Sequence, residues 1–203
     1  HLSEVGNLAA GFAAKIGLAE QGQLMGLLHD FGKFSQAFQV YIKSATGDIN
    51  QDDEEWVNAE LLKGKIDHST AGAQLLWHKL RQTNTQSGIE GVCAQVLCLC
   101  IVSHHSGLID CLNPLGDFQF CKRITKDDEL TRYQECVDNA DPKLMQQVEE
   151  IISPTFMAEF IEKFASILGS VELQQPYPNV GAFKLGVFTR FLFSCLIDAD
   201  RLN

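Results

Sequence analysis

The chain has 203 residues, of which 45% are hydrophobic and 21% are charged, and its formal net charge is −10 at pH 7. This composition excludes a disordered or low-complexity chain and suffices for one domain with a buried core. The negative charge argues against a generic nucleic-acid-binding surface, because such surfaces neutralise phosphates with Lys and Arg. Any nucleic acid must then be held locally or by another module.

Apolar residues recur at helical spacing along most of the chain, so we predict successive α-helices. In chain order the spacing is seen over 5–12, 24–31 and 71–76. The segment 92–102 is apolar and β-branched, but no alternating partner strand accompanies it, and a buried helix is the better prediction. We predict loops at the polar breaks near 44–53, 82–91 and 107–117. The sequence thus predicts an all-α fold, with one domain over residues 1–203.

The most apolar segment begins at Gly181 and ends in the acidic sequence DADR. It carries Lys184 and Arg190, and charges inside the segment favour a buried helix over a membrane span. No membrane partner is therefore expected. Pro176 and Pro178 predict a loop before this helix.

The seven cysteines are odd in number, and no CxxC pair occurs among them. This pattern favours small buried thiols in a reduced compartment over a disulfide framework. We therefore expect a cytoplasmic location.

Five of the six histidines occur in four local contexts that suit a metal site. They are His1 in HLSEV, His29 in LLHDFGK, His68 in DHS, and His104 and His105 in VSHHSG. Imidazole nitrogens bind divalent transition metals well at neutral pH. The sixth histidine, His78, is predicted to be an ordinary residue of an amphipathic helix.

Asp30 is the candidate bridging ligand, because one carboxylate can bind two ions and offset their repulsion. On a helix, His29 and Asp30 point about 100° apart, so both can reach one cluster at a helix end. Lys33 lies three residues after Asp30, on the same face of a continuing helix, where its ammonium could steady a phosphate oxygen. Gly32 would let a phosphate ester approach the backbone closely. Asp30 and Lys33 are therefore the predicted catalytic residues.

The order of these motifs, from His1 through HDFGK, DHS and HHSGL to DADR, resembles the HD nuclease domain of the CRISPR-associated nuclease-helicase of type I CRISPR systems, in the HD phosphohydrolase superfamily. The resemblance runs from His1 to Arg201 and implies a helical bundle with a two-metal site in its centre. Asp30 would bridge two divalent transition-metal ions, which could be Mn, Fe, Co or Ni. The implied metal ligands are His1, His29, Asp30, His68, His104, His105 and Asp200. Asp198 remains the alternative for the last of them.

The same resemblance implies a metal-dependent nuclease that degrades single-stranded DNA in antiviral defence, through a metal-activated water. Its implied partners are a helicase module, in cis or in trans, and the crRNA-guided surveillance complex. No GxxxxGK[ST] loop occurs in the chain, so we expect a fragment of a longer nuclease-helicase or a stand-alone subunit. An HD-type nucleotide phosphohydrolase and a non-catalytic HD regulatory module remain the alternatives. Ser69 is expected to touch a phosphate or to cap a helix that begins near Thr70.

Overall fold

The computed structural model describes residues 1–82, 88–169 and 178–203. These residues form α-helices and short 3₁₀ turns, and no β-strand occurs among them, which confirms the predicted all-α fold. The α-helices of the described residues are α1 Leu2–Ala13, α2 Ala19–Leu28, α3 Gln36–Thr46, α4 Ala59–Leu62, α5 Thr70–Gln82, α6 Ile89–Ser103, α7 Gln119–Ile124, α8 Asp128–Thr131, α9 Tyr133–Asn139, α10 Pro142–Ile151, α11 Phe156–Leu168 and α12 Pro178–Leu202.

Two of the predicted loops follow helices in the structure: the break at 107–117 follows α6, and the break at 44–53 follows α3 except for residues 44–46, which form the end of that helix. Of the predicted break at 82–91, residues 83–87 lie outside the described residues, as does Pro176, and residues 89–91 belong to α6. Pro178 was predicted to lie in a loop, but it is the first residue of α12.

The core of the bundle is built around α6. Its residues are buried almost continuously from Cys93 to Val102, and helices α2, α5, α11 and α12 pack against it. A helix that is apolar on every side must be surrounded, because apolar surface left in water loses about 25 cal/mol per Å². The buried helix predicted over 92–102 is confirmed.

Helices α1, α2 and α12 form a second layer beside α6. Helix α1 packs along α2, and α12 contacts α1, α2 and α6. The fully buried side chains of this layer include Val5, Ala9, Leu24, Leu28, Leu192 and Leu196. Because of this packing, His29, which follows α2, contacts both Asp200 in the last turn of α12 and the ring of His104, which follows α6.

Over Val180–Leu202, α12 is long and apolar enough to cross a membrane, judged by length and composition alone. One face of this helix contributes Phe188, Leu192 and Leu196 to the core, whereas Phe183 is 72% exposed. The segment predicted to be a buried helix is thus a helix with one buried and one exposed face. Such amphipathic burial is typical of a helix on the outside of a bundle.

Helix α5 packs against the end of α2 at Gly72. A Cβ atom on Gly72 would lie 1.9 Å from the carbonyl oxygen of Leu28, so a side chain at this position would clash with the α2 backbone. Leu28 directly precedes His29, and α5 begins two residues after His68. The close approach therefore fixes these two histidines relative to each other.

Candidate metal centre

Helix α2 ends at Leu28, and Phe31–Phe34 form a 3₁₀ turn, so His29 and Asp30 lie in the bend between two helical segments. The prediction that the α-helix continues through Lys33 is wrong. Lys33 nevertheless contacts Asp30, with Nζ 2.5 Å from Oδ2, because residues three apart are eclipsed in a 3₁₀ turn.

The backbone of Gly32 explains why the α-helix stops. Its N–H donates to the carbonyl of His68 at 3.0 Å, so it does not make the helical bond to Leu28. A Cβ atom on Gly32 would lie 2.5 Å from the Cα atom of His68. The space beside Gly32 is filled by the His68 backbone, and the expectation that it admits a phosphate ester is wrong.

The other predicted ligands also lie at helix boundaries. His104 and His105 follow the end of α6, and Gly107 adopts a positive φ of 77° just beyond them, as expected where a helix ends. His68 lies just before α5, and Asp200 lies in the last turn of α12. Five segments far apart in sequence thus meet at one place.

Asp30 is 2% exposed and lies at the centre of this cluster. Its Oδ2 atom is 3.1 Å from His29 Nε2 and 3.7 Å from His1 Nε2. Asp200 Oδ1 lies 3.3 Å from His29 Nε2 and 3.6 Å from His1 Nε2. We call His1, His29, Asp30 and Asp200 the first ligand group.

The other oxygen of Asp30 faces a different set. Its Oδ1 atom lies 3.4 Å from Nε2 of His104, 3.6 Å from that of His68 and 3.7 Å from that of His105. We call Asp30, His68, His104 and His105 the second ligand group. In each group the ligand atoms lie within 4.8 Å of one another.

Both groups fit a divalent ion. His29 Nε2, Asp30 Oδ1 and His104 Nε2 are buried and have no hydrogen-bond partner among the described residues. A buried polar atom without a partner costs about 1–3 kcal/mol, which coordination would offset. Two ligand atoms about 2.1 Å from one ion, and about 90–110° apart, are separated by about 3.0–3.4 Å. The distances from Asp30 to the nearest histidine of each group, 3.1 Å and 3.4 Å, agree with this separation. The Nε2 atoms of His68 and His105 are only 2.6 Å apart and would have to separate slightly to bind the same ion.

Three of the histidine rings are oriented by their own backbone. In each, Nδ1 lies 2.7–3.0 Å from a carbonyl oxygen two or three residues earlier: His29 with Gly26, His68 with Ile66, and His104 with Ile101. When Nδ1–H donates to a carbonyl, the neutral ring keeps its lone pair on Nε2. All three Nε2 atoms are directed towards Asp30.

The cluster shifts the pKa values of its own members. Burial alone raises the pKa of Asp30, but contacts with His104, His105 and His29 bring it well below its usual range. Burial alone lowers the pKa of His29, and the carboxylates of Asp200 and Asp30 outweigh it and raise this pKa to about 9. The contact with His29 lowers the pKa of Asp200. In the metal-free protein the carboxylates are thus ionised and His29 is protonated at pH 7.

Two residues considered from the sequence lie outside both groups. Asp198 is exposed on α12, so of the two aspartates in DADR only Asp200 lies in the cluster. His78 contacts the ring of Tyr133, with the ring centroids 5.4 Å apart. Whether Asp200 and the histidines bind metal stays a prediction.

Ser69 has a contact that neither expectation included. Its hydroxyl accepts a hydrogen bond from Arg123 Nη2 at 3.0 Å. The start of α5 is capped by Asp67, whose carboxylate accepts from the N–H and the hydroxyl of Thr70 at 3.1 Å and 2.8 Å. Lys126 Nζ lies 2.6 Å from the same carboxylate.

Sequence reasoning missed Asp67, Arg123 and Lys126. Arg123 and Lys126 lie more than 50 positions after His68, and no local spacing connects them with it. The one available signal was the Asp before His68 in the DHS motif, because Asp is a preferred residue at helix starts.

Comparison with known protein families identifies a family that the chain matches. Residues 16–168, more than half of it, match the family model described as the HD domain of Cas3. The matched residues include five predicted ligands, and the other two, His1 and Asp200, lie outside the match. No curated protein and no solved structure matches the chain. The matched family is one of CRISPR-associated HD nucleases, and HD domains bind divalent metals. The chain therefore belongs to the Cas3 HD-domain family.

Proposed function

We propose that the chain is a metal-dependent nuclease that hydrolyses phosphodiester bonds in single-stranded DNA, with two divalent transition-metal ions, in type I CRISPR defence. One observation carries the proposal: the two oxygens of Asp30 face two separate groups of ligands. A carboxylate placed in this way can bridge two ions, and pairs of bridged ions are common in enzymes that cleave phosphodiesters.

In this proposal the first ligand group holds one ion and the second ligand group holds the other. Bound ions of this kind lower the pKa of a water and stabilise the charge on the reacting phosphoryl group. Asp30 suits the shared position, because its carboxylate is buried and stays ionised at neutral pH. Imidazole and carboxylate ligands suit Mn, Fe, Co and Ni alike, so metal supply as well as affinity decides which is bound.

Lys33 is the second residue to which we assign a catalytic role. Its ammonium contacts Asp30, and the side chain is 37% exposed, so the charge lies at the boundary between the cluster and solvent. A phosphate oxygen that approaches Asp30 meets this fixed positive charge.

We also propose that a helicase module, in cis or in trans, and a crRNA-guided surveillance complex deliver the strand. The net charge of −10 supports this proposal, because most of the surface repels phosphate. For location we propose the cytoplasm. The seven free cysteines, five of them buried, support a reducing compartment.

The test is cleavage of a single-stranded oligonucleotide with Mn²⁺, Fe²⁺, Co²⁺ or Ni²⁺. We expect cleavage with at least one of these ions and a loss of more than about 100-fold in the Asp30→Ala variant. His78→Ala is the matched control, since His78 lies outside both ligand groups, and it should cleave like the parent.

Three results would contradict the proposal. Equal cleavage by the parent and Asp30→Ala would exclude the bridging role. Faster hydrolysis of free nucleotides than of the strand would identify a nucleotide phosphohydrolase. No bound metal and no cleavage with any ion would identify a non-catalytic regulatory module.

A further inference from the structure

A cleft of about 580 Å³ opens beside the second ligand group, and His68 and His105 belong to its wall. Its volume is within the range of small-molecule sites, about 300–1,000 Å³. We call it the basic cleft and define it by six other lining residues: Lys33, Tyr41, Lys65, Asp67, Arg123 and Lys126.

The charge of the basic cleft is opposite to that of the whole chain. Four of its lining residues are cationic and one, Asp67, is acidic, which gives a local formal charge of +3 against −10 for the chain. Lys126 pairs with Asp67 at 2.6 Å, and Lys33 pairs with Asp30, which does not line the cleft, so the charges of Lys65 and Arg123 are left without an ion pair in the part of the chain that the structure describes. Such a concentration of positive charge in an acidic protein favours an anionic ligand at this place.

Arg123 is held in position without being neutralised. Its Nη2 atom donates to Ser69 Oγ at 3.0 Å and to the carbonyl of Val102 at 3.3 Å, and both acceptors are uncharged. Its Nε atom is buried without a hydrogen-bond partner among the described residues. Neither Arg123 nor Lys65 forms an ion pair within the described part of the chain. Asp67 interacts with Arg123 only beyond ion-pair distance, and the pKa of Asp67 is lowered in part by this charge. A fixed guanidinium without a carboxylate at ion-pair distance is well suited to bind phosphate.

The cleft also has two aromatic lining residues, Phe38 and Tyr41. Phe38 is buried, and its ring is covered by Lys33 Nζ, 5.7 Å from the ring centroid, and by the His68 ring at 5.0 Å. Tyr41, one turn later on α3, packs against Phe38 with ring centroids 5.6 Å apart and is only half-buried. Phe38 thus supports Tyr41, whose ring is left to contact a ligand.

We infer that the basic cleft is a subsite for one nucleotide of the DNA strand, next to the phosphodiester that is cut. Its phosphate binds Arg123, Lys65 and Lys126, and its base stacks on Tyr41. The inference rests on the proposed function and names the residues that hold the strand. Because every base has an aromatic face, the subsite should bind without marked base preference.

Binding of a fluorescein-labelled single-stranded oligothymidylate to the chain, measured by fluorescence anisotropy in EDTA, tests the subsite without cleavage. Lys65→Ala should raise the Kd by about 3- to 10-fold and reduce the slope of log Kd against log salt by roughly 0.7–1. Lys63→Ala is the matched control: Lys63 is also exposed, lies two residues away and does not line the cleft, so its Kd should change by less than about twofold.

A second pair of variants tests the aromatic lining of the cleft. Tyr41→Ala should raise the Kd by about 5- to 150-fold, the range that stacking of one base covers, while Tyr41→Phe keeps the ring and should bind like the parent. The proposed subsite would be contradicted if Lys65→Ala and Lys63→Ala changed the Kd equally, or if Tyr41→Ala left the Kd unchanged. Displacement of the strand by thymidine monophosphate at a concentration near the Kd of the strand would overturn the strand assignment and indicate a site for free nucleotides.

The subsite and the proposed function can fail separately. Binding that depends on Lys65 and Tyr41, without cleavage in any metal, would contradict the nuclease and support the subsite. Cleavage, together with a Kd that neither Lys65→Ala nor Tyr41→Ala changes, would support the nuclease and contradict the subsite.

Discussion

The backbone of Gly32 lies directly against that of His68, with the Gly32 N–H bonded to the His68 carbonyl at 3.0 Å. The contact joins the turn after α2, which carries His29 and Asp30, to the segment that enters α5. The position of His68 relative to Asp30 is therefore set by main-chain atoms as well as by side chains.

Replacement of Gly32 by alanine should disturb the second ligand group. The new Cβ would lie 2.5 Å from the His68 Cα, so one of the two segments must move. Overpacking of this kind costs about 1–3 kcal/mol. We expect a corresponding fall in the free energy of unfolding in urea and weaker binding of one ion in calorimetric titrations with Mn²⁺.

Gly11 supplies the control for this substitution. A Cβ on Gly11 would meet nothing within 4 Å, and the residue is inside helix α1. Gly11→Ala should leave metal binding unchanged and stabilise the fold by up to about 1 kcal/mol, because alanine favours helix. Identical metal titrations for the two variants would show that the Gly32 contact does not position His68.

Asp200 and Asp198 differ in position and so should differ in effect. Asp200 Oδ1 is 3.3 Å from His29 Nε2, whereas Asp198 is exposed and outside both groups. Asp200→Ala should weaken binding of the ion in the first ligand group by about 10- to 100-fold, and Asp198→Ala should bind both ions like the parent. Metal stoichiometry after gel filtration measures the difference, and the reverse ranking would place the ligand at Asp198.

Metal binding should release protons. The pKa of His29 is raised to about 9 in the metal-free protein, and a metal ion binds only the neutral ring. At pH 7 the first ion should therefore displace about one proton, and its apparent affinity should rise by up to about tenfold per pH unit until about pH 9. Calorimetry in buffers with different ionisation enthalpies measures the proton count; a count of zero at pH 7 would contradict the protonated state.

The same shift makes the stability of the metal-free protein depend on pH. A histidine whose pKa is raised by folding stabilises the folded state below its unfolded pKa, near 6.5, and this contribution is lost as the pH rises to about 9. The free energy of unfolding in EDTA should thus fall over this interval. His29→Asn should remove that part of the pH dependence, while His78→Gln should retain it.

Asp67 should contribute to stability although it is not a predicted ligand. Its carboxylate caps α5 through Thr70 and pairs with Lys126, and its side chain is 13% exposed. Loss of a cap costs about 1 kcal/mol and loss of a partly buried ion pair adds to this, so Asp67→Ala should destabilise the fold by about 1–3 kcal/mol. Asp127 is the control, because it precedes α8 without a side-chain cap bond, and Asp127→Ala should change stability by less than about 0.5 kcal/mol.

The helical fold and the neighbourhood of the metal centre were predictable because their signals are local. Apolar spacing identified α6 and the start of α5, and short motifs identified His29, His68 and the adjacent pair that follows α6. These residues lie at helix boundaries, and helix boundaries can be predicted from residues such as Gly107, because glycine favours the positive φ found where a helix ends.

What the sequence could not provide depends on contacts between distant segments. The end of α2 at Leu28 follows from a hydrogen bond between Gly32 and His68, 36 positions apart, and helix periodicity gives no sign of it. The assignment of Asp30 Oδ1 and Oδ2 to different ligand groups likewise requires the three-dimensional packing. Arg123 was missed for the same reason, because its neighbours Ser69 and Val102 come from other helices.

The histidines that follow α2 and α6 place the carboxyl ends of two helices at the metal centre. Each helix end carries roughly half a unit of negative charge from its aligned peptide dipoles, and together with Asp30 and Asp200 these charges exceed the positive charges of His29 and Lys33. The metal-free centre therefore attracts cations and repels the phosphates of a nucleic acid. In the proposed function, bound ions would reverse this charge, so the strand should bind more tightly with metal than in EDTA.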